Sequence, residues 1–426
     1  MQKLLVNIII FFGMTSCLTA QSFFDKHFED KSMRIDLILA GNKQNQTVYI
    51  TELKKEPYWG GSKNNLKDQF NYGEYRFFII DENTSDTLYS KGFCTLFEEW
   101  RSTEEAKHIN KAFYQTVTFP YPKNEFTFIL NERHRDGSFS TMLTQKIDPS
   151  DVNIRQTQTG KYEVAQIINN GPSHQMVDLL FIAEGYQADE MDKFKKDVKK
   201  HADYLLKQSP YLENKEKFNF WAVCSPSQES GPSEPEKGVW KETAVQAAFN
   251  TFYVDRYLES TNVKAIRDIA AEAPYDHIVV LVNSKRYGGG GIYNHFSLGT
   301  SDNYLAHEVM IHEIGHGLFG LADEYYTSDV AYQDFFNLKV EPWQPNITTL
   351  IDFNSKWQSM LSSHTPVPTP ADSEFENTTG VFEGGGYVSK GVYRPAINCR
   401  MKSNEAKGFC EVCKNAGDKM IKFLTQ

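Results

Sequence analysis

The chain of 426 residues has little that would suit a membrane, a nucleic acid or a repeat scaffold. After its first twenty residues it has no apolar run near the roughly 20 residues that a helix needs to cross a bilayer. It has no surplus of basic side chains. Lys and Arg number 45 against 55 Asp and Glu, for a formal charge of −10, which argues against a nucleic-acid partner. It has no internal repeat and no low-complexity tract. Its run of four glycines between Tyr287 and Ile292 is followed by no Gly-Lys-Ser/Thr, so it is not a phosphate loop. Cysteine is scarce, at six residues, too few for a disulfide-built scaffold. Aromatics are plentiful, with 22 Tyr and 30 Phe, enough for a large packed core.

The first twenty residues have the form of a leader. Lys3 precedes an apolar run at 4–12, broken only by Asn7, and Leu18-Thr19-Ala20 follows. A charged start, a short apolar stretch and a small residue at the end form a secretory signal. The expected outcome is export, to the periplasm, the cell surface or the medium, with cleavage after Ala20. Met14-Thr15-Ser16-Cys17 also resembles a lipoprotein signal, and cleavage there would leave a lipid-bearing Cys17.

Residues 21–155 read as a β-rich domain. Residues 33–39, 46–53, 75–80 and 126–130 have strand character, and turn-forming residues such as Asp136-Gly137 separate such runs. A β-sandwich is expected. Trp59 and Trp100 could line a ligand surface, although single aromatics more often fill a core. A polar, turn-rich stretch over about 150–175 marks the boundary. Residues 156–426 read as an α/β domain, with strands at 176–183, 219–224 and 277–283 and helices at 189–207 and 245–269. Residues 342–388, rich in proline and poor in periodic runs, form a long loop system. Such loops in compact domains often serve function, here the selection of substrate.

The sharpest signal is His312-Glu313-Ile314-Gly315-His316. On a half-buried helix, positions i and i+4 share a face, so both imidazoles can meet one zinc ion. Glu313 projects off that face and is placed to activate a water as general base. Gly317 and Gly320 can end the helix and turn the chain back. That return brings Asp323 and Glu324 within reach as a third ligand. An oxyanion stabiliser is needed as well, and Tyr387 and Tyr393 are candidates. Cys399, Cys410 and Cys413 cluster near the C-terminus. In an exported chain a disulfide from Cys399 to Cys410 or to Cys413 is expected. A structural zinc there would need a fourth ligand that the sequence does not identify.

The stretch 312–325, with His-Glu-x-x-His followed by Leu-x-Asp-Glu-Tyr, resembles the IgA peptidase family of zinc metallopeptidases. Further similar pieces are 178–186, Tyr393-Arg394-Pro395, Cys399-Arg400-Met401 and 409–413, and together they span about 176–415. The N-terminal region is similar to the β-rich domain that precedes the peptidase unit in such proteins. The resemblance implies a metzincin-like α/β catalytic domain and one catalytic zinc. It implies His312, His316 and Asp323 as ligands, Glu313 as base and a protein or peptide substrate. It places Glu324 beside the ligands or as an alternative to Asp323, and Met401 as the methionine beneath the metal. It also implies an edge strand near the glycine run that pairs with extended substrate. In metzincins the glycine and third ligand each come one residue earlier than here. The alternatives are a surface adhesin or glycan-binding protein with a degenerate site, and a zinc amidase with a non-peptide substrate.

Overall fold

The computed structural model describes residues 22–326 and 336–426. The leader at 1–20, with Cys17, lies outside the described residues.

The N-terminal unit contains the short helices α1 (Phe23–His27) and α2 (Leu96–Arg101) and eight strands. These are β1 (Phe28–Gly41), β2 (Gln46–Glu56), β3 (Tyr75–Asp81), β4 (Thr87–Phe93), β5 (Lys111–Pro122), β6 (Phe126–Arg133), β7 (Phe139–Ile147) and β8 (Arg155–Gln156). They form two four-stranded sheets, in the orders β5-β1-β2-β8 and β4-β3-β6-β7. The period-two alternation of a pleated strand decides which side chains go inward. β3 buries Tyr75, Phe77 and Ile79, and β6 buries Phe126, Phe128 and Leu130. They share one core with Met33, Ile35, Leu37 and Leu39 of β1. The ring of Phe77 lies 5.8 Å from that of Phe119 in the opposite sheet. The unit is therefore a two-sheet packing, as its alternation predicts. Trp100 is part of this core, and Trp59 packs against it.

β9 (Glu163–Ile168), β10 (Val177–Glu184), β11 (Phe218–Cys224), β12 (His277–Val282), β13 (Gly289–Ile292) and β14 (Phe296–Thr300) form the six-stranded sheet of the second unit. Its order is β13-β14-β12-β10-β11-β9. The inner four strands are parallel, and β13 and β9 run antiparallel at the edges. β10 and β12 are apolar almost throughout, as strands covered on both faces must be. Val177, Leu179 and Phe181 face α3 (Met191–Leu205), α5 (Ala306–Phe319) and α6 (Glu411–Thr425). Leu180 and Ile182 face α4 (Val263–Ala270) on the other side. A hairpin of β15 (Phe382–Gly385) and β16 (Val388–Arg394) lies beyond, amid the loops of 342–388.

Two expectations need correction. In the stretch 245–269 the α-helix begins only at Val263 and runs to Ala270. Gln246, Asn250, Phe252 and Tyr253 have left-handed backbone, with φ between 53° and 65°, which breaks any continuous helix. The second correction concerns α5, which is buried on most of its surface rather than half-buried. Met310, Ile311, Ile314, Leu318 and Phe319 are all at most 2 % exposed. Each such burial contributes about 1.5–3 kcal/mol, so the helix is clamped between the sheet and the C-terminal segment.

The two units are joined by polar contacts on both faces of the second unit's sheet. The Cys94 N–H donates to the Tyr293 carbonyl at 2.9 Å. The indole N–H of Trp343 donates to Glu74 at 2.7 Å. Asp268 accepts from the buried Arg34 at 2.8 Å and from Lys54 at 2.6 Å.

Candidate metal centre

His312 and His316 lie one turn apart on α5. Gly317 does not end the helix. A Cβ there would meet the His277 ring at 2.4 Å and Ser297 Oγ at 2.5 Å, so glycine is required for close packing on the sheet. The helix ends at Gly320, in the left-handed region at φ 68°. The Leu321 N–H closes the end on the Gly315 carbonyl at 3.1 Å, the reversal that a C-terminal glycine permits.

The reversal brings Asp323 back to the two imidazoles. His312 donates its Nδ1–H to the Arg400 carbonyl at 3.0 Å, and His316 donates its own to the Leu321 carbonyl at 2.6 Å. With Nδ1 protonated, each neutral ring presents a lone pair at Nε2. These two nitrogens face each other at 2.9 Å. Asp323 Oδ1 completes a triangle at 3.0 Å and 3.3 Å. This oxygen is buried and accepts no hydrogen bond. Three lone-pair atoms so close repel one another unless a positive charge, a metal ion or a proton on one imidazole, lies among them. Ligands at about 2.0–2.1 Å around a tetrahedral zinc stand about 3.3 Å apart, so the donor set fits that ion.

The electrostatics agree. Burial works against a charge on His316, but the carboxylates of Asp323 and Glu313 outweigh it and push its pKa up to about 9. Burial also opposes ionisation of Asp323, yet the imidazoles hold its carboxyl well below the usual carboxylate range. The pocket favours positive charge at this spot.

Glu313 points to the other side of the helix face, against β13. A Cβ on Gly289 would lie 2.8 Å from Glu313 Oε1, and one on Gly291 would lie 2.3 Å from the Glu313 carbonyl. The glycine run is thus what lets an edge strand lie directly on the helix. Burial pushes the Glu313 carboxyl up, with the two histidines opposing.

The surroundings hold the ligands still. Met401 lies beneath α5, its sulfur 2.9 Å from where a Cβ on Gly315 would stand. The Tyr387 hydroxyl donates to Asp323 Oδ2. Asn346 clasps the returning chain, accepting from the Ala322 N–H at 2.7 Å and donating to the Ala322 carbonyl at 2.8 Å.

Three sequence-derived candidates lie elsewhere. Tyr393 is not at the metal. It lies near the end of β16, is not among the residues lining the cleft, and packs near Phe353 and Trp357. Glu324 turns its carboxylate away from the histidines, to Asn346 at 3.0 Å and Cys413 Sγ at 3.2 Å, because successive residues of an extended segment face opposite ways. Cys399, Cys410 and Cys413 are separate thiols without a disulfide.

A cleft of about 370 Å³ opens over His312, Glu313, His316 and Asp323. β13 forms one side. Glu98, Arg133 and neighbouring residues of the N-terminal unit form another. A second cavity of about 530 Å³, lined by Tyr287 and Lys402 among others, meets the first at Arg256, His312, Glu313 and Tyr325. Arg256 donates to the Tyr325 hydroxyl at 3.2 Å. Tyr325 lies inside the Asp-Glu-Tyr run and could have been suspected from it. Nothing in the sequence marks Arg256 or the wall from the N-terminal unit.

A model of the family described as IgA Peptidase M64 matches residues 165–378 and 371–421. One described as Peptidase M64 N-terminus matches residues 23–144. No curated protein matches the chain.

Proposed function

The chain belongs to the IgA peptidase M64 family, and from that premise we propose that it is an exported, zinc-dependent endopeptidase of metzincin-like design. The family makes it a peptidase, a hydrolase acting on protein or peptide. The observation that most supports the finer reading is the triangle of His312 Nε2, His316 Nε2 and Asp323 Oδ1 with Glu313 beside it. Met401 beneath the helix supports the metzincin-like comparison.

When held by His312, His316 and Asp323, zinc supplies Lewis acidity that polarises the scissile carbonyl and lowers the pKa of water to about 7. Glu313 takes a proton from the attacking water and passes it to the leaving amine. Tyr387 fixes the second oxygen of Asp323 and so the orientation of that ligand. Arg256 and Tyr325 stand where the two cavities meet, placed to orient the substrate carbonyl. Room on both sides of Glu313 supports cleavage within a chain rather than at its end. The leader, cut after Ala20, carries the protein out of the cytosol; lipidation at Cys17 is the competing reading.

The test is the purified mature chain on a peptide library. Internal cleavage should appear, vanish with a chelator and return with zinc. Glu313→Gln should keep its zinc and lose at least about 100-fold in kcat. Chelator-resistant cleavage would remove the metal from the mechanism, and removal of terminal residues alone would remove the endopeptidase reading.

A further inference from the structure

Behind the catalytic cluster, four other side chains converge. The sulfurs of Cys399, Cys410 and Cys413 and a carboxylate oxygen of Glu324 all lie within 4.8 Å of one another. The sequence contains three cysteines near its C-terminus and no evident fourth ligand; the fold brings Glu324 to them. Cys399 Sγ and Cys413 Sγ are 3.8 Å apart. Glu324 Oε1 is 3.2 Å from Cys413 Sγ and 4.0 Å from Cys410 Sγ. Around a tetrahedral zinc with Zn–S of about 2.3 Å, sulfurs stand about 3.8 Å apart and sulfur and oxygen about 3.5 Å.

The cluster is enclosed. Cys399, Cys413 and Glu324 are fully buried and Cys410 is half-buried. Glu324 Oε2 has no hydrogen-bond partner, a costly state for a buried carboxylate. A disulfide would use two sulfurs and leave the third thiol facing an unsatisfied acid. A metal ion uses all four groups. Cys410 holds the N-cap position of α6, where helix geometry favours thiolate. The Cys410 N–H donates to Cys399 Sγ at 3.2 Å.

We infer that Cys399, Cys410, Cys413 and Glu324 form a second metal site, closed by four protein ligands and suited by its sulfur content to zinc. Its place in the fold gives it a structural task. Glu324 follows Asp323 directly. Cys399 precedes Arg400, whose carbonyl orients His312, and Met401, which supports α5. The ion fastens both segments to the start of α6.

Elemental analysis and zinc X-ray absorption on the full mature chain, purified without chelator or reductant, test this. The wild type should carry about two zinc ions per chain, with a sulfur shell at about 2.3 Å. The proposed catalytic ligands include no sulfur, so this shell reports the second site alone. His316→Ala should keep the sulfur shell while losing most of the nitrogen contribution. Cys413→Ser should lose the sulfur shell. If Cys413→Ser does not fold, the wild type and His316→Ala decide. Zinc without a sulfur shell in the wild type would overturn the inference. So would non-reducing mass spectrometry showing Cys399 joined to Cys410 or Cys413.

Discussion

Tyr387→Phe separates two roles for one hydroxyl. The ring of Tyr387 packs edge-on against Tyr325 at 5.4 Å, and phenylalanine keeps that contact, so the fold should be unaffected. What disappears is the donor to Asp323 Oδ2. A hydrogen bond to a charged group is worth about 1.5–3 kcal/mol, and about 1.4 kcal/mol is tenfold in an equilibrium constant. On the proposed reading this bond orders Asp323 as a zinc ligand, so zinc affinity should fall roughly ten- to hundredfold. That matches the range typical when a group supporting a ligand is removed. Competitive titration against a chromophoric chelator measures the affinity, and kcat at saturating zinc measures the rest. The expected outcome is weaker zinc with kcat within a few-fold of the wild type. Unchanged affinity with a large loss of kcat would refute the reasoning and give Tyr387 the oxyanion role instead.

Asp323→Ala should empty the histidine-held site at low free zinc, because a first ligand is lost; zinc affinity equal to the wild type there would exclude Asp323. Gly291→Ala places a Cβ 2.3 Å from the Glu313 carbonyl and should destabilise the protein by about 1–3 kcal/mol, read by urea unfolding; no loss would mean that β13 moves freely off the helix. His277 is buried and held neutral, with its pKa lowered to about 3 by desolvation, against about 6.5 when unfolded. Its stabilising contribution is complete above pH 6.5 and is lost as pH falls toward 3, by about 1.4 kcal/mol per pH unit. His277→Gln should flatten the acid limb of the stability curve by that slope, and an unchanged limb would argue that the ring ionises freely in the fold. Mass spectrometry of the exported form should find Gln21 at the N-terminus, whereas a diacylated Cys17 would establish the lipoprotein route.

The strands β10, β11 and β12 could be read from sequence because fully covered parallel strands are continuous apolar runs. The helix with His312 and His316 could be read because its spacing serves one face. The region 245–262 could not. Val245, Ala247 and Phe249 are buried, and their apolar character hides the left-handed residues at 246, 250, 252 and 253. α6 buries Val412, Ala416 and Met420 at a spacing of four, a run too short to stand out from sequence. The cysteines at its start direct attention to a disulfide. Asp323 and Glu324 are neighbours in sequence, yet they face different clusters. Only the fold of the returning segment, held by Asn346, decides which carboxylate goes where.

The glycine strand has a consequence for selectivity. β13 meets the cleft with peptide groups alone over Gly289–Gly291, so it presents the same surface to every substrate. A wall without side chains cannot discriminate among sequences. On the proposed reading, discrimination would fall to the wall from the N-terminal unit and to the parts of the 342–388 loops that line the cleft. Substitutions there can change which peptide is accepted while the residues that bind metal and move protons stay as they are. On the proposed peptidase reading, chemistry and choice of substrate would thus be carried by separate parts of the chain.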